Sequence, residues 1–574
     1  MRTISIGKQN FASLRENDFF YVDKTDFIRE WWENGDDVTL IARPRRFGKT
    51  LNMSMLECFF SNRYENRKDL FKGLSIWREK KYRLLQGAYP VLSITFSSAK
   101  GNTYETLRKQ ICALLAEQYR NHRYLSEGDC LSAVEKKEFD NVNADMDDTA
   151  ASLALQRLCG YLGRYYGKNV IVLLDEYDSP LQEAYVGGYW EELVNFTRSI
   201  FNATFKSNPY LERAVMTGVT RMSKEFIFSD LNNLRVVTTT SQAYAAAFGF
   251  TEGEVYAALE EAGMSGEKER VKEWYDGFTF GRVSNIYNPW SITNFLKEKT
   301  YQTFWASTSS NALVSSLIRT GTRDIKQHME DLLEGKSIYT EIDEQIVFDQ
   351  LGGNEGAVWS LLLAGGYLKV KSYAVHPRTL QKQFELSLTN FEVELMFERL
   401  IREWFGRSEG DYQNFAKSLL QGDLKAMNHY MNKVALDTFG FFDTVNHPSE
   451  RTEPERFYHG FVLGLLVDQR EHYQIKSNRE SDFGRYDVLM QPRSAEGDGL
   501  PALVLEFKVH DAGEEDSLEE TVAAALRQIR EKEYDAELIS AGIPRARIRH
   551  YGFAFEGKHV LIGTDQEIFE TGSH

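Results

Sequence analysis

The sequence predicts an α/β multidomain chain, and three observations lead there. At 574 residues it is longer than one hydrophobic core usually serves, so roughly two to four domains are expected. Its first half alternates short apolar runs with segments of helical spacing, the pattern of a parallel sheet covered on both faces. From about residue 455 the pattern becomes helix, several strands, helix and a final strand pair, a second α/β unit. The composition, 42% hydrophobic and 26% charged, is globular. A net charge of −16 excludes a free-standing basic coat for nucleic acid, so any polyanion site must be a local patch.

In chain order, DVTLIA (37–42), YPVLSITF (89–96), NVIVLLDE (169–176) and RAVMTGVT (213–220) are expected as buried strands. Segments 104–120 and 149–167 have helical spacing, and the Asp- and Asn-rich stretch 126–148 is expected as an exposed insertion. The basic, aromatic-bearing segment 62–85 suits a solvated amphipathic helix with buried aromatics better than a phosphate-backbone contact. A turn-rich stretch (274–291) closes a first domain placed at 1–284. Residues 285–405 form a mixed region, expected as a lid or winged-helix-like module. Within it, 358–372 suggests helix, glycine turn and strand, and 390–405 an amphipathic helix. A mostly helical connector is expected at 406–454 and the second α/β unit at 455–574. The four cysteines (Cys58, Cys112, Cys130, Cys159) form no CxxC pair, which argues for buried thiols over a zinc site or disulfide framework. The N-terminus lacks the apolar core of a signal peptide, and no apolar run approaches the ~20 residues that span a bilayer. A cytoplasmic location with no membrane partner is the expectation.

The first chemical motif is LIARPRRFGKTLNMSML (40–56). Gly48-Lys49-Thr50 is the ending of a phosphate loop, but the spacing GxxxxGK[ST] puts Arg43 where its first glycine belongs. An apolar strand precedes the loop and a helix follows it, so unpaired amides and the positive end of the helix dipole would face an anion. In that setting Gly48 allows close backbone approach, Lys49 reaches the outer phosphates and Thr50 ligates magnesium. Arg45 and Arg46 add charge suited to polyphosphate, and Pro44 biases Arg43 toward an extended backbone. A second strand ends in Asp175 and Glu176, where open sheets bind ligands. Asp175 would hold magnesium through water, and Glu176 would orient and activate the hydrolytic water. A third strand offers Thr217 or Thr220 to the γ-phosphate, and Arg221, which could counter charge in cis or reach a neighbouring subunit of a homo-oligomer.

Together with FFYVDKTDFI (19–28), YDGFTF (275–280) and YNPWSI (287–292), these motifs make roughly the first half resemble the AAA-ATPase-like family of bacterial and archaeal proteins. In that family Arg-Pro-Arg-Arg is the usual lead-in to the GKT. The resemblance implies a P-loop ATPase core that binds ATP and magnesium through Lys49, Thr50 and Asp175, with hydrolysis at Glu176. Asp23 and Lys24 match its YVDKT signature without an assigned job, Asp23 being a candidate cap for a helix starting near Thr25.

The second motif lies in GRYDVLMQPRSAEGDGLPALVLEFKVHDA (484–512). Strand alternation puts Val504, Glu506 and Lys508 on one face, and Leu503, Leu505, Phe507 and Val509 on the other, packed face. With Asp487 on the neighbouring strand this is D…ExK. Asp487 and Glu506 would hold one or two magnesium ions, manganese being the alternative, and Lys508 would position the nucleophile or offset developing charge. Glu455 and His459 share one helical face upstream, and Gln528 and Tyr534 follow downstream. The stretch 455–565 resembles the PD-(D/E)XK nuclease superfamily, which implies a catalytic triad of Asp487, Glu506 and Lys508 with Glu455 as its first-helix acid. Gln528 and Tyr534 resemble the downstream Gln/Tyr motif of the exonuclease branch at a longer spacing than QxxxY; His459 is expected to be structural.

The expected function is therefore an ATP-binding and ATP-hydrolysing protein coupled to a magnesium-dependent nuclease acting on nucleic acid, DNA first. The alternative is an ATP-switched DNA- or protein-binding regulator with a silent nuclease fold.

Overall fold

Five parallel strands organise the N-terminal half of the computed structural model: β1 (Val38–Ala42), β2 (Val91–Thr95), β3 (Val170–Asp175), β4 (Leu211–Gly218) and β5 (Leu234–Val237), in the spatial order β2-β3-β4-β1-β5. The structure describes residues 2–438 and 462–565 with interruptions, the longer of them at 221–227, 307–311, 343–354 and 494–499. Contacts divide the chain into one unit of Met1–Gly321 with Asp331–Met396 and another of Thr322–Glu330 with Phe397–His574.

In the first unit β1 and β3 are buried along their whole length, as expected of central strands rich in Val, Ile and Leu. Register pairs Ala42 with Gly218 and Thr95 with Asp175, so β1, β3 and β4 end along one edge, where ligands of open sheets bind. β5 was not foreseen; it is a four-residue edge strand, too short for its alternation to stand out. Helix α1 (Lys49–Phe60) follows β1 directly. Thr103 caps α2 (Tyr104–Asn121), and Asp147 caps α3 (Asp148–Tyr166), which stops at Gly167. The insertion 126–148 is not bare loop. It carries a helix, Ala133–Asp140, with a Ser132/Glu135 capping box, and that helix buries Phe139. Segment 62–85 is likewise not one amphipathic helix but three 3₁₀ turns and a short helix, with Leu70, Phe71, Ile76 and Tyr82 buried. Helix α4 (Ser179–Gly187) follows β3, and α5 (Pro289–Glu298) follows the turn-rich stretch.

Further along, β6 (Ile338–Glu341), β7 (Leu368–Val375) and β8 (Lys382–Leu388) make an antiparallel sheet with β8 in the middle. The glycine turn is where the pattern put it. Helix α6 (Glu355–Gly365) ends at Gly366, whose φ of +86° and close approach to Pro44 and Phe278, 2.9 Å from where a Cβ would stand, exclude a side chain. Helix α7 (Phe391–Phe405) completes this region.

The second unit is built on β9 (Tyr473–Ser477), β10 (Val488–Pro492), β11 (Ala502–Val509), β12 (Ile548–Glu556) and β13 (His559–Thr564), neighbours in that order. All pairs are antiparallel except β11–β12. That parallel pair needs a crossover, which contains α10 (Leu518–Glu531); α8 (Glu409–Gln421) and α9 (Leu424–Thr438) precede the sheet in sequence. Leu503, Leu505 and Phe507 share a core with Phe415 and Leu419 of α8 and Met427 and Met431 of α9. Ala502 and Val504 pack instead with Val522, Leu526 and Ile529 of α10. On α9, Asn428 and Asn432 each bond to both backbone groups of a β13 residue, Ile562 and Val560, so the outermost strand is not left with an open edge there. Among the described residues no helix is long and apolar enough to cross a membrane.

Candidate functional sites

At the edge formed by β1, β3 and β4, the loop from Arg43 to Gly48 turns into α1. Two loop residues take positive φ, Arg46 (65°) and Gly48 (80°), the second at the helix N-cap. Lys49 is 7% exposed and donates from Nζ to the carbonyls of Arg43 (2.9 Å) and Pro44 (2.8 Å). Burial pushes its ammonium down to about 8, against the pull of Asp175, Asp178 and Glu176. Thr50 Oγ1 donates to Asp175 Oδ2 at 2.7 Å, and Thr217 Oγ1 donates to the other oxygen of the same buried carboxylate. Lys49, Thr50, Asp175 and Thr217 thus meet at one place. Glu176 follows in a left-handed conformation (φ 53°), its amide toward Thr217 Oγ1 (3.4 Å) and its carboxylate accepting from Ser179 (3.2 Å). A cavity of about 760 Å³ opens here, lined by Arg45, Arg46, Gly48, Lys49, Thr50 and Glu176 among others.

Arg43 does not face that cavity. Its guanidinium is buried and donates to the carbonyls of Ala42, Thr238 and Ala243, and lies 4.5 Å from the Phe280 ring. Burial pushes it down to about 9. Arg45 and Arg46 are exposed at the cavity rim; Arg45 donates to Gln182 (3.0 Å), and Arg46 sits 4.3 Å over Trp290. Thr220 is turned away, its hydroxyl on Asp178 Oδ2 (3.0 Å). Arg221 lies outside the described residues. Asp23 does not cap the following helix, which begins at Asp26. It accepts from Thr25 and from the Ser75 amide, while Lys24 pairs with Glu254 at 2.6 Å, so the YVDKT segment is a brace between distant segments.

In the second unit, Glu506 on β11 is 3% exposed. Asp487 immediately precedes β10, and its Oδ2 accepts from the Phe507 amide (2.8 Å), which fixes it beside Glu506. Gln528 of α10 donates to Glu506 Oε1 and lies 3.2 Å from the Tyr534 hydroxyl. Burial raises the Tyr534 phenol, with Glu506 and Asp487 adding to the rise, so the carboxylates and the phenol share one neighbourhood. The face of β11 that carries Glu506 was expected to be the polar one; instead α10 roofs it. Gly552, the β12 partner of Glu506, permits this: a Cβ there would stand 2.9 Å from the Val522 carbonyl. Lys508 lies two residues beyond Glu506, half-buried on the same face by strand alternation. Glu455 and His459 lie outside the described residues. Among the described residues no three His, Cys, Asp or Glu side chains gather in a metal-binding group. Asp487 and Glu506 are two hard oxygen donors placed side by side, which suits one magnesium-type ion completed by water or phosphate oxygens.

Sequence reasoning missed Gln182, Asp178, Asn288 and Trp290 as parts of the first site. Asn288 donates to the Arg45 carbonyl (3.3 Å) and accepts from the Trp290 amide (2.8 Å), tying the YNPW turn to the phosphate loop. Asn288 and Trp290 were signalled only by membership of the YNPWSI segment, and Asp178 and Gln182 lie outside the quoted motifs.

Comparison with known proteins finds two separate matches along the chain. Residues 5–228 match the model of a family described as a predicted AAA-ATPase, and residues 453–565 match that of the PD-(D/E)XK nuclease superfamily. An uncharacterized protein in the vnfD 5′ region of Azotobacter chroococcum mcd 1 is 23% identical over 556 residues, 95% of each chain.

Proposed function

We propose that this chain, an AAA-ATPase-like domain followed by a PD-(D/E)XK nuclease superfamily domain, binds and hydrolyses ATP at the first site and cleaves DNA at the second. The observation that carries the first half is the meeting of Thr50, Asp175 and Thr217 beneath a loop whose lysine is buried on its own carbonyls.

Lys49 exchanges the Arg43 and Pro44 carbonyls for the outer phosphates, a charged partner for its buried ammonium. Gly48 and the first amides of α1 hold phosphate oxygens. Thr50 and Asp175 are the ligands for magnesium, which when bound offsets charge on the phosphates. Glu176 orients the attacking water and accepts its proton. At the second site Asp487 and Glu506 are the ligands for magnesium or manganese, which would polarise the scissile phosphate and acidify a bound water. Gln528 holds Glu506 in place, and Lys508 offsets charge that develops on the phosphate.

The test treats the two heads separately. Wild type should hydrolyse ATP and Lys49→Ala should not; retained turnover removes Lys49 from the mechanism. Linear and circular DNA with magnesium, with and without ATP, should be cut by wild type and spared by Glu506→Ala and Lys508→Ala. Wild type that binds ATP yet cuts no DNA is instead an ATP-switched DNA- or protein-binding regulator.

A further inference from the structure

Asp178 stands at the N-cap of α4, where an aspartate ordinarily accepts amides of its own helix, yet its side chain makes no such bond. It is 1% exposed, and Oδ2 reaches across to the end of β4. There it accepts from the Val219 amide (2.9 Å), the Thr220 amide (2.9 Å) and Thr220 Oγ1 (3.0 Å), with Gln182 Nε2 at 3.2 Å. A buried carboxylate taken from its own helix end and given to a neighbouring strand is committed to holding that strand.

Three further observations show what is held. Tyr177, just before it, donates its hydroxyl to the Thr220 carbonyl (2.8 Å) and its amide to the Thr217 carbonyl (3.0 Å). Gly218 has no room for a side chain: a Cβ would stand 2.6 Å from the Tyr177 ring and 2.8 Å from Asp178 Oδ1. Gln182, which donates to Asp178, also accepts from Arg45 of the phosphate loop (3.0 Å). A continuous set of bonds therefore runs from the loop through Gln182 and Asp178 to residues 217–220. Between its ends lies Glu176 in a left-handed backbone, a conformation that persists only where its surroundings over-determine it.

We infer that Asp178 is a positioning residue for ATP hydrolysis. It fixes the turn after β4 against α4, its Oδ2 being taken up by Val219, Thr220 and Gln182, and so sets Glu176 and Thr217 relative to the phosphate loop. This deepens the ATPase reading and rests on it.

The experiment uses the full chain, with ATP turnover and equilibrium binding of a fluorescent ATP analogue measured separately. Asp178→Ala should lower kcat by about 30-fold or more, the scale of a sub-ångström to 1 Å misplacement, while the analogue's Kd moves less than about threefold. Asp178→Asn keeps one oxygen acceptor and should recover most of the loss. Gly218→Ala, which presses on the same contact without removing the carboxylate, should reproduce the kcat defect if Asp178→Ala fails to fold. Unchanged kcat in Asp178→Ala or in Gly218→Ala, or binding and kcat falling in parallel, would overturn the assignment while leaving wild-type turnover as evidence for the ATPase reading. Wild type that does not bind the analogue overturns both.

Discussion

Gln528→Leu separates a residue that tunes the second site from one that merely fills it. The amide donates to Glu506, a carboxylate 3% exposed, and lies 3.2 Å from the Tyr534 hydroxyl. A hydrogen bond to a charged group contributes about 1.5–3 kcal/mol; leucine fills nearly the same volume, so the loss is that of the donor, including the cost of leaving a buried carboxylate oxygen without it. The second unit should therefore become less stable by about 2 kcal/mol in denaturant unfolding at pH 7. The stronger expectation concerns the ion. Partners that orient a metal-ligating carboxylate typically change metal affinity 10–100-fold, so the manganese concentration at half-saturation in calorimetry should rise by roughly that factor. Tyr534→Phe, which removes one hydroxyl and leaves the Gln528–Glu506 bond, should move it by only about threefold. A leucine variant that loses stability but binds manganese as wild type does would refute the reasoning, because Gln528 would then be a packing residue.

Glu176→Gln should bind ATP within a few-fold of wild type and lose about 10²–10³ in single-turnover hydrolysis. Arg43→Gly, which restores the ordinary first glycine, should destabilise the N-terminal unit by about 3 kcal/mol or more, measured by denaturant unfolding, because it empties a buried cage of carbonyls and aromatic rings. Glu392 of α7 is buried and pushed up to about 7 by desolvation, against bonds from Ser291 and the Trp305 and Ala306 amides. A carboxyl raised in the folded state contributes stability that is fully present below its unfolded pKa and is lost as pH rises through the folded one. Wild type should therefore lose about 3 kcal/mol relative to Glu392→Gln between pH 4.5 and 7.5, in paired unfolding curves.

The phosphate loop was legible because its chemistry is local: a strand, a GKT and a helix start within a dozen residues specify where the amides and the lysine go. The strand ends carrying Asp175 and Thr217 were legible for the same reason. What holds them was not. Arg43 bonds to Thr238 and Ala243, and Asn288 to Arg45, across about 200 residues or more of sequence, and no spacing rule joins such segments. The Gln528–Tyr534 pair shows a second kind of illegibility. Its six-residue spacing departs from QxxxY, but Gln528 lies in the last turn of α10 and Glu533 takes a positive φ (47°), which returns Tyr534 beneath the helix end; its amide bonds to the Ile529 carbonyl at 3.3 Å. A helix end that reverses through a positive φ can bring two side chains together at more than one sequence spacing. The roof over Glu506 was missed because strand alternation reports which residues share a face, not whether a helix will cover it.

The missing glycine of the phosphate loop then has a physical account. The first glycine of GxxxxGK is needed when the chain must turn sharply at the loop's entrance, and here that entrance continues the sheet: the Arg43 amide bonds to the Gly218 carbonyl at 3.1 Å. The positive-φ positions fall later, at Arg46 and Gly48. With residue 43 bonded to β4 and outside the positive-φ positions, a side chain is free to leave the loop, and a long cation that satisfies three carbonyls stitches β1 to the segment after β5. Its own carbonyl meanwhile receives Lys49. One residue thus anchors the loop through its side chain and holds the Lys49 ammonium through its backbone. Glycine at 43 could still do the second but not the first, so the arginine is a different solution to holding the loop and not a degraded copy of the usual one.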